Sequence, residues 1–213
     1  MNPGATAERV LEALRGQILD AAWRPGDRLD PGAIAGQFAS SITPVRDALN
    51  RLTGEGLVEA RQGGGFHLPP LDEPLLHDLY RWSEQLLRLC VTHWPAGAAA
   101  IPFAESINAN GKSADGEAPA QTTAQATGRF FAVLAQRSGN CEHAGAVDRL
   151  NARLHVVRGV EGDVLGADDA EFDTWIDAIE ADDRRGLARA IGRYHRRRER
   201  VAGAIVRAVY RRE

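Results

Sequence analysis

Cysteine is nearly absent from this chain, and what little there is stands alone. Cys90 and Cys141 are its two cysteines, and they lack both the spacing of a metal knuckle and that of a redox pair. Both read as small buried hydrophobes in a reducing compartment, with no disulfide between them. No window approaches the roughly 20 apolar residues of a membrane span, and residues 1–15 lack a basic segment followed by an uninterrupted apolar one. The expectation is a cytoplasmic protein without membrane contact. Also missing are a nucleophile–base pair, a phosphate loop and a pair of carboxylates at catalytic spacing, which argues against an enzyme. His67, His77, His93, His143 and His155 are scattered, and none has a ligand partner at useful spacing. They read as surface or capping residues.

A broadly basic surface is missing too. The 213 residues carry a net charge of −3, with 44% hydrophobic and 26% charged residues, ordinary for a globular protein. The charge is segregated. Residues 1–70 hold 7 arginines against 8 acids, residues 71–183 hold 8 bases against 19 acids, and residues 184–213 hold 11 against 2. Any contact with a polyanion in the first segment must therefore rest on single, well-placed arginines such as Arg46, Arg51 and Arg61, helped by helix N-termini.

What is present in that segment is a short helix pair and a hairpin. Asp30-Pro31 begins one helix, with Ile34, Ala35 and Phe38 as its apolar side, and residues 39–42 form a turn. Thr43 is expected to cap a second helix with Pro44 at its first position, where the missing N–H costs nothing. Val45, Ala48, Leu49 and Leu52 recur at i, i+3, i+4 and i+7, while Arg46 and Asn50 stand one turn apart on the other face. Gly56 supplies a stop, residues 57–60 a strand, Gly63-Gly64-Gly65 a turn, and Phe66-His67-Leu68 a returning strand. This is the pattern of a helix-turn-helix followed by a wing.

In these features residues 7–70 resemble the winged-helix domain of GntR-type bacterial transcription regulators. The resemblance is carried by Val10-Leu11-Glu12-Ala13-Leu14 and Ile18, Arg24-Pro25-Gly26-Asp27-Arg28-Leu29, Thr43-Pro44-Val45-Arg46-Asp47-Ala48-Leu49, Glu55-Gly56-Leu57-Val58, and Gly65-Phe66. It implies that Ser41, Thr43 and Arg46 approach the major groove of a double-stranded DNA operator or its phosphates. The wing tip at Gly63, Gly64 and Gly65 would approach the minor groove. Arg46 is the expected base reader, since guanidinium forks onto guanine O6 and N7. Two departures matter. Ile42 stands where the family usually has Arg, and Gly64 where a basic residue is frequent, leaving Arg61 and Gln62 as the polar groups nearest the tip. An altered operator or weaker binding is expected.

Beyond Pro69-Pro70-Leu71-Asp72 every strong pattern is helical. The stripes are Leu75, Leu79, Trp82, Leu86 and Cys90; Phe130, Phe131 and Leu134; Val147, Leu150, Leu154 and Val157; Phe172, Trp175, Ile176 and Ile179; and Leu187, Ile191, Tyr194, Val201 and Ile205 on one last helix. Residues 95–126 read as an irregular connection, with a short helix over 103–107. The expected fold class is mainly α: a winged helix-turn-helix with a small β-hairpin over residues 1–70, then an all-α antiparallel bundle over residues 71–213.

Asp78-Leu79-Tyr80, Phe130, Ser138-Gly139-Asn140, Ala178-Ile179 and Asp183 make this second half similar to the FCD domain of the FadR-like branch. That similarity implies dimerisation, effector binding and, in many members, a divalent metal that holds a carboxylate effector. The metal positions fall on Thr127, Phe131, Phe172 and Tyr194 and the effector-binding arginine on Ser83, so no metal and no cofactor are expected. A shift of one residue would bring in Asp173 and His195, but each step turns a side chain about 100° around its helix, away from the same pocket. The alternatives are an aromatic, metal-free effector pocket formed by Ser83, Thr127, Phe131, Phe172 and Tyr194, or a plain core. The run Arg193, Arg196, Arg197, Arg198 and Arg200 is expected to pair with Asp168, Asp169, Asp173, Asp177, Asp182 and Asp183, or else to face DNA or an acidic partner. The expected function is a homodimeric repressor that senses a small molecule; the alternative is a helical half that only dimerises or binds another protein.

Overall fold

The computed structural model describes residues 3–94, 123–166 and 170–211. The chain divides into two compact units, with the boundary between Asp72 and Glu73.

The first unit starts with α1 (Pro3–Leu19), whose Val10, Leu11, Leu14 and Ile18 are buried at helical spacing. A strand β1 (Arg28–Leu29) follows, then α2 (Pro31–Gln37) and α3 (Ile42–Gly54). Asp30 caps α2 by accepting the Ala33 N–H at 2.9 Å, with Pro31 at the first helical position. Strands β2 (Glu59–Arg61) and β3 (Gly65–His67) form the wing. The strand order is β1-β3-β2, all antiparallel, with Leu29 and Ala60 both opposite Phe66. The wing is thus a three-stranded sheet and not a lone hairpin, because residues 28–29 pair with the return strand. Hydrogen bonds between Gly26 and Leu68 and between Leu68 and Asp27 fix that third strand.

Helix α3 starts earlier than its sequence suggests. Its N-cap is Ser41, without a side-chain capping bond, and Pro44 is the third helical residue. The shift costs nothing, because N–H groups in the first turn have no intrahelical acceptor in any case. Gly56, at φ +76°, ends the helix in the left-handed region, and Leu57 N–H returns to Leu52 O at 3.0 Å. Val45, Leu49 and Leu52 are wholly buried beneath α1. At the far end of α3, Arg15 grips Glu55 through two N–H···O bonds of 2.5 and 2.8 Å.

The second unit comprises α4 (Glu73–Thr92), α5 (Thr123–Arg137), α6 (Cys141–Leu165), α7 (Ala170–Glu180), α8 (Arg184–Glu199) and α9 (Ala202–Arg211). Helix α5 packs on α6, α8 on α4 and α7, and α9 on α6 and α4. Asn140 caps α6 by accepting the N–H groups of Glu142 and His143, and Asp183 caps α8 through Gly186 N–H.

The helical unit departs from expectation as well. On α4 the buried face is Leu76, Leu79, Tyr80, Ser83, Leu86, Leu87, Cys90 and Val91, while Trp82 is 41% exposed. Leu79, Leu86 and Cys90 of the expected stripe are buried and Leu75 is half-buried; the face is wider than that stripe and runs through Tyr80 and Ser83 instead of Trp82. The expected single last helix is two: Val201 N–H bonds to Arg198 O, tightening the turn between α8 and α9. Gly203 then lets α9 pass close to α4, since a Cβ there would lie 2.5 Å from Glu73 Oε2. Residues 123–126 belong to α5 and not to the irregular connection, whose remainder, including the expected helix at 103–107, lies outside the described residues. Cys90 is buried as expected, but Cys141 is exposed at the start of α6; both are free thiols.

Leu49→Ala should cost the first unit about 2–5 kcal/mol, the range for emptying a fully packed site. The measurement is amide hydrogen exchange of α1 and α3 in the full chain, where protection should fall; unchanged protection would mean that α3 does not hold that core.

Candidate functional site

Burying Val45, Ala48, Leu49 and Leu52 leaves the opposite face of α3 outside. Ser41, Thr43, Arg46 and Asn50 are all exposed, and Pro44 is half-buried. Arg46 has no ion-pair partner among the described residues, whereas Arg51 lies 3.1 Å from Glu8 and Arg61 lies 3.5 Å from Glu59. Of the three arginines expected to supply positive charge, two are therefore partly offset by their own unit. Ile42 is 48% exposed on the same end of α3, an apolar group at a surface otherwise made of donors.

The wing tip is a tight turn closed by Gly64 N–H to Arg61 O at 3.0 Å. Gly63 and Gly65 have φ of +71° and +77°, values that a side chain would strain. Sequence reasoning missed Arg28. It is exposed on β1, and its guanidinium comes within about 4 Å of where a Cβ on Gly65 would stand. The pairing of Leu29 with Phe66 that puts it beside the tip joins residues far apart in the chain, and nothing in the local pattern signals it. Arg28 thus brings a cation to the wing tip from a different strand.

A recognition helix with an exposed polar face, locked to a second helix and followed by a glycine-tipped wing, defines a winged helix-turn-helix DNA-binding unit. Residues 6–68 match the family described as bacterial regulatory proteins, gntR family, so the first unit is similar to the DNA-binding domain of that family. Over 58 residues the chain is 43% identical to the Nta operon transcriptional regulator of Aminobacter aminovorans, a match covering 27% of this chain and 28% of that protein. The chain therefore spans less than a third of the length of the curated relative it matches. Solved structures extend the fold further. A GntR transcriptional regulator from Rhodococcus sp. RHA1 superposes with a TM-score of 0.72 at 18% identity, covering 93% of this chain and 97% of that one. E. coli McbR/YncC does so with a TM-score of 0.63 at 18% identity, covering 95% and 98%. The Aminobacter and Rhodococcus proteins are regulators by name, not enzymes, and the helical second unit is part of the shared fold.

Inside that second unit lies an aromatic cluster. Phe131 packs against Trp175 at 5.4 Å, Tyr194 at 5.5 Å and His195 at 6.0 Å, the last a stacked pair. Phe172 is half-buried and joins through Phe130 and Trp175. Ser83 and Thr127 are buried. The donor set Thr127, Phe131, Phe172 and Tyr194 does not fit a metal ion, because the two phenylalanines offer no lone pair and the Tyr194 hydroxyl faces Glu161 at 3.4 Å.

His195 overturns the helix-phase argument. It is wholly buried and faces the same interior as Tyr194, its immediate neighbour. Helix α8 is covered on several sides, with Leu187, Ala190, Ile191, Gly192, Tyr194, His195 and Arg198 all buried, so a step of about 100° leads to another packed wall. Nδ1 of His195 lies 2.8 Å from Ile191 O and must carry the proton; Nε2 then accepts from the Ser83 hydroxyl at 3.0 Å. Asp173 is exposed.

The basic run is split. Arg198 bonds Glu161 through Nε at 2.6 Å and Glu171 through Nη1 and Nη2 at 3.1 and 3.0 Å, while Arg197 reaches Glu171 at 3.3 Å. Among the described residues the acids that meet the run are Glu161 and Glu171. Asp182 and Asp183 lie instead beside Arg184 and Arg189, and 168–169 lie outside the described residues. Arg193, Arg196 and Arg200 line an open cleft over Trp175 and Tyr194. Burial alone would weaken Arg198 as a base, but Tyr194, Glu161 and Glu171 outweigh it and hold the guanidinium charged. Burial, with Glu161 beside it, pushes the Tyr194 hydroxyl up to about 12, so it stays a neutral donor.

Ile42→Arg should tighten DNA binding and steepen the dependence of log K on log salt by about 0.9, one added phosphate contact, in fluorescence anisotropy titrations. An unchanged slope would place residue 42 away from the backbone. Burial lowers His195 from 6.5 to about 3. Between those values the unfolded chain holds a proton that the folded one does not, so stability falls as pH drops, by up to about 1.4 kcal/mol per unit. His195→Gln should make urea-unfolding stability less steep between about pH 6 and pH 4, the window in which only the unfolded imidazole is protonated. An identical slope would show that His195 protonates in place.

Proposed function

We propose that the chain is a DNA-binding transcription regulator of the GntR type, a homodimeric repressor whose helical unit senses a small molecule without a metal. The observation that carries the reading is Arg46 on the exposed face of α3, with Thr43, Ser41 and Asn50 around it and the glycine tip of the wing beyond. The unit has no positive charge to spare, so one copy would bind weakly. Two copies spaced by about one helical turn would double the phosphate contacts and add the second set of base contacts. Trp82 and Leu89, exposed two turns apart on α4, give the helical unit an apolar strip that a second copy would cover. The sensing role draws on the polar groups in the aromatic interior, Ser83, Thr127, Tyr194 and His195, which a purely structural core would not need.

Binding sites selected from random DNA should form an inverted repeat, and Arg46→Ala should weaken binding to that site by about 1–3 kcal/mol per half-site while sedimentation still finds a dimer. Full specific binding by the variant would remove Arg46 as the reader, and a selection with no consensus would remove the regulator reading itself.

A further inference from the structure

Four arginines along α8 and its C-cap share a cleft with a single acid. Arg193, Arg196, Arg197 and Arg200 stand at i, i+3, i+4 and i+7, so their charges run in a line of about 10 Å along one face of the helix. With Ala170, Glu171 and Thr174 of α7 opposite, they line a cleft of about 470 Å³, the size of a small-ligand site. Glu171 is already held by Arg197 and Arg198 at 3.3 and 3.0 Å. Arg193, Arg196 and Arg200 are exposed and have no ion-pair partner among the described residues. Glu84, whose Oε1 lies about as close as Arg196 Nη1 to where a Cβ on Gly192 would stand, is paired with Arg88 at 3.2 Å.

The shortage of acids is local. Elsewhere on the helical unit Arg81, Arg88, Arg184 and Arg189 each lie 3.8 Å or less from a carboxylate, and residues 71–183 hold 19 acids against 8 bases. Like charges at i+3 and i+4 repel, so the stripe costs the ligand-free helix stability. The dipole of α8 favours cations in its last turn, which accounts for Arg196 and Arg197, but Arg193 lies more than one turn from the end. A recess lined by one sign of charge focuses the field and draws counter-charge into it.

The layout of the charge specifies the occupant. Guanidinium forks pair with phosphoryl oxygens, and three free ones in a row match a chain of phosphates, where a single anion would leave most of the charge uncompensated. Duplex DNA carries its phosphates on the outside of a thick rod, which does not enter a recess of this volume. Trp175 and Tyr194 form the floor but are only 1% and 2% exposed, so no ring face is open to stack on a base. We propose that the cleft between α7 and α8 binds a small ligand with two or three phosphoryl groups in a row, recognised by its phosphate chain through Arg193, Arg196 and Arg200. The site lies outside the aromatic interior, so it goes beyond the sensing role proposed above and does not depend on it.

Calorimetric titration of the full chain in magnesium-free buffer tests this, with inorganic triphosphate, diphosphate, orthophosphate, ATP, AMP and citrate as probes. Triphosphate and ATP should bind one per chain with affinities within roughly threefold of each other, because the base adds nothing, with diphosphate somewhat weaker. Orthophosphate, AMP and citrate, which lack the phosphate chain, should each bind at least roughly tenfold more weakly than triphosphate. Arg193→Gln combined with Arg200→Gln should weaken triphosphate binding at least roughly tenfold and, with like charges removed from one helix face, melt no lower than the ligand-free parent. Arg185→Gln, at an exposed arginine of α8 outside the cleft, should leave triphosphate binding unchanged. No saturable heat from triphosphate, equal binding of citrate, or an equal loss in Arg185→Gln would overturn the proposal, the last two by showing only general attraction of anions to a basic surface. ATP bound far more tightly than triphosphate would overturn recognition through the phosphate chain. If triphosphate stays silent while the double variant lowers operator affinity and flattens its salt dependence, the stripe is a DNA contact and not a ligand site.

Discussion

The interior of the helical unit is organised by one side chain, Arg198. From α8 it bonds Glu161 of α6 and Glu171 of α7, and its guanidinium lies 3.4 Å from the centre of the Tyr194 ring. Glu161 also accepts from Tyr80 of α4, so a single charged cluster ties four helices together. An apolar core tolerates sliding, because one methyl replaces another at small cost. A buried ion pair does not: moving α8 by a turn would strand two carboxylates and a guanidinium without partners, each with its full desolvation penalty. The register of α4, α6, α7 and α8 is fixed by that threat more than by any net attraction.

The aromatic rings around the cluster serve the same constraint. Phe130, Phe131, Trp175 and Tyr194 meet edge to face or tilted at 4.7–5.5 Å in their closest pairs, arrangements that suit ring quadrupoles and exclude water. Exclusion of water strengthens the ion pair within and keeps His195 neutral. It also makes Arg158 conspicuous, because the acids near it are already engaged by Arg198. The cluster that satisfies Arg198 thus leaves Arg158 without a counter-ion among the described residues.

Much of the first unit is legible in the sequence because its contacts are local. The i, i+3, i+4, i+7 series from Val45 to Leu52 fixes which face of α3 is inside, and therefore that Arg46 and Asn50 are outside. Gly56 and the wing glycines at 63 and 65 mark places where only glycine fits the backbone without strain. What escapes is non-local: β1 pairing with β3 and bringing Arg28 to the wing, and the Glu8 partner of Arg51. In the helical unit periodicity locates the buried residues of α5 and α6 and, on α4, Leu79, Leu86 and Cys90, but it errs at Trp82, which is exposed while Tyr80 and Ser83 are buried. It also misjudges α8, since a two-sided argument about inside and outside fails for a helix covered nearly all round.

The two units therefore solve opposite electrostatic problems. In the first, acids beside Arg51 and Arg61 offset their charge and leave Arg46 without an ion-pair partner among the described residues, so under the proposed function discrimination would rest on Arg46 more than on general attraction for phosphate. An arginine in place of Ile42 would add to both specific and non-specific binding; the isoleucine keeps the surface sparing of charge. In the second, positive charge is drawn inside, where each guanidinium needs a named partner. If the proposed homodimer holds, a DNA surface with few free cations would make operator binding depend on both half-sites being occupied at once. A weak single-copy interface would then let a modest change in how two copies are held together alter occupancy of an operator.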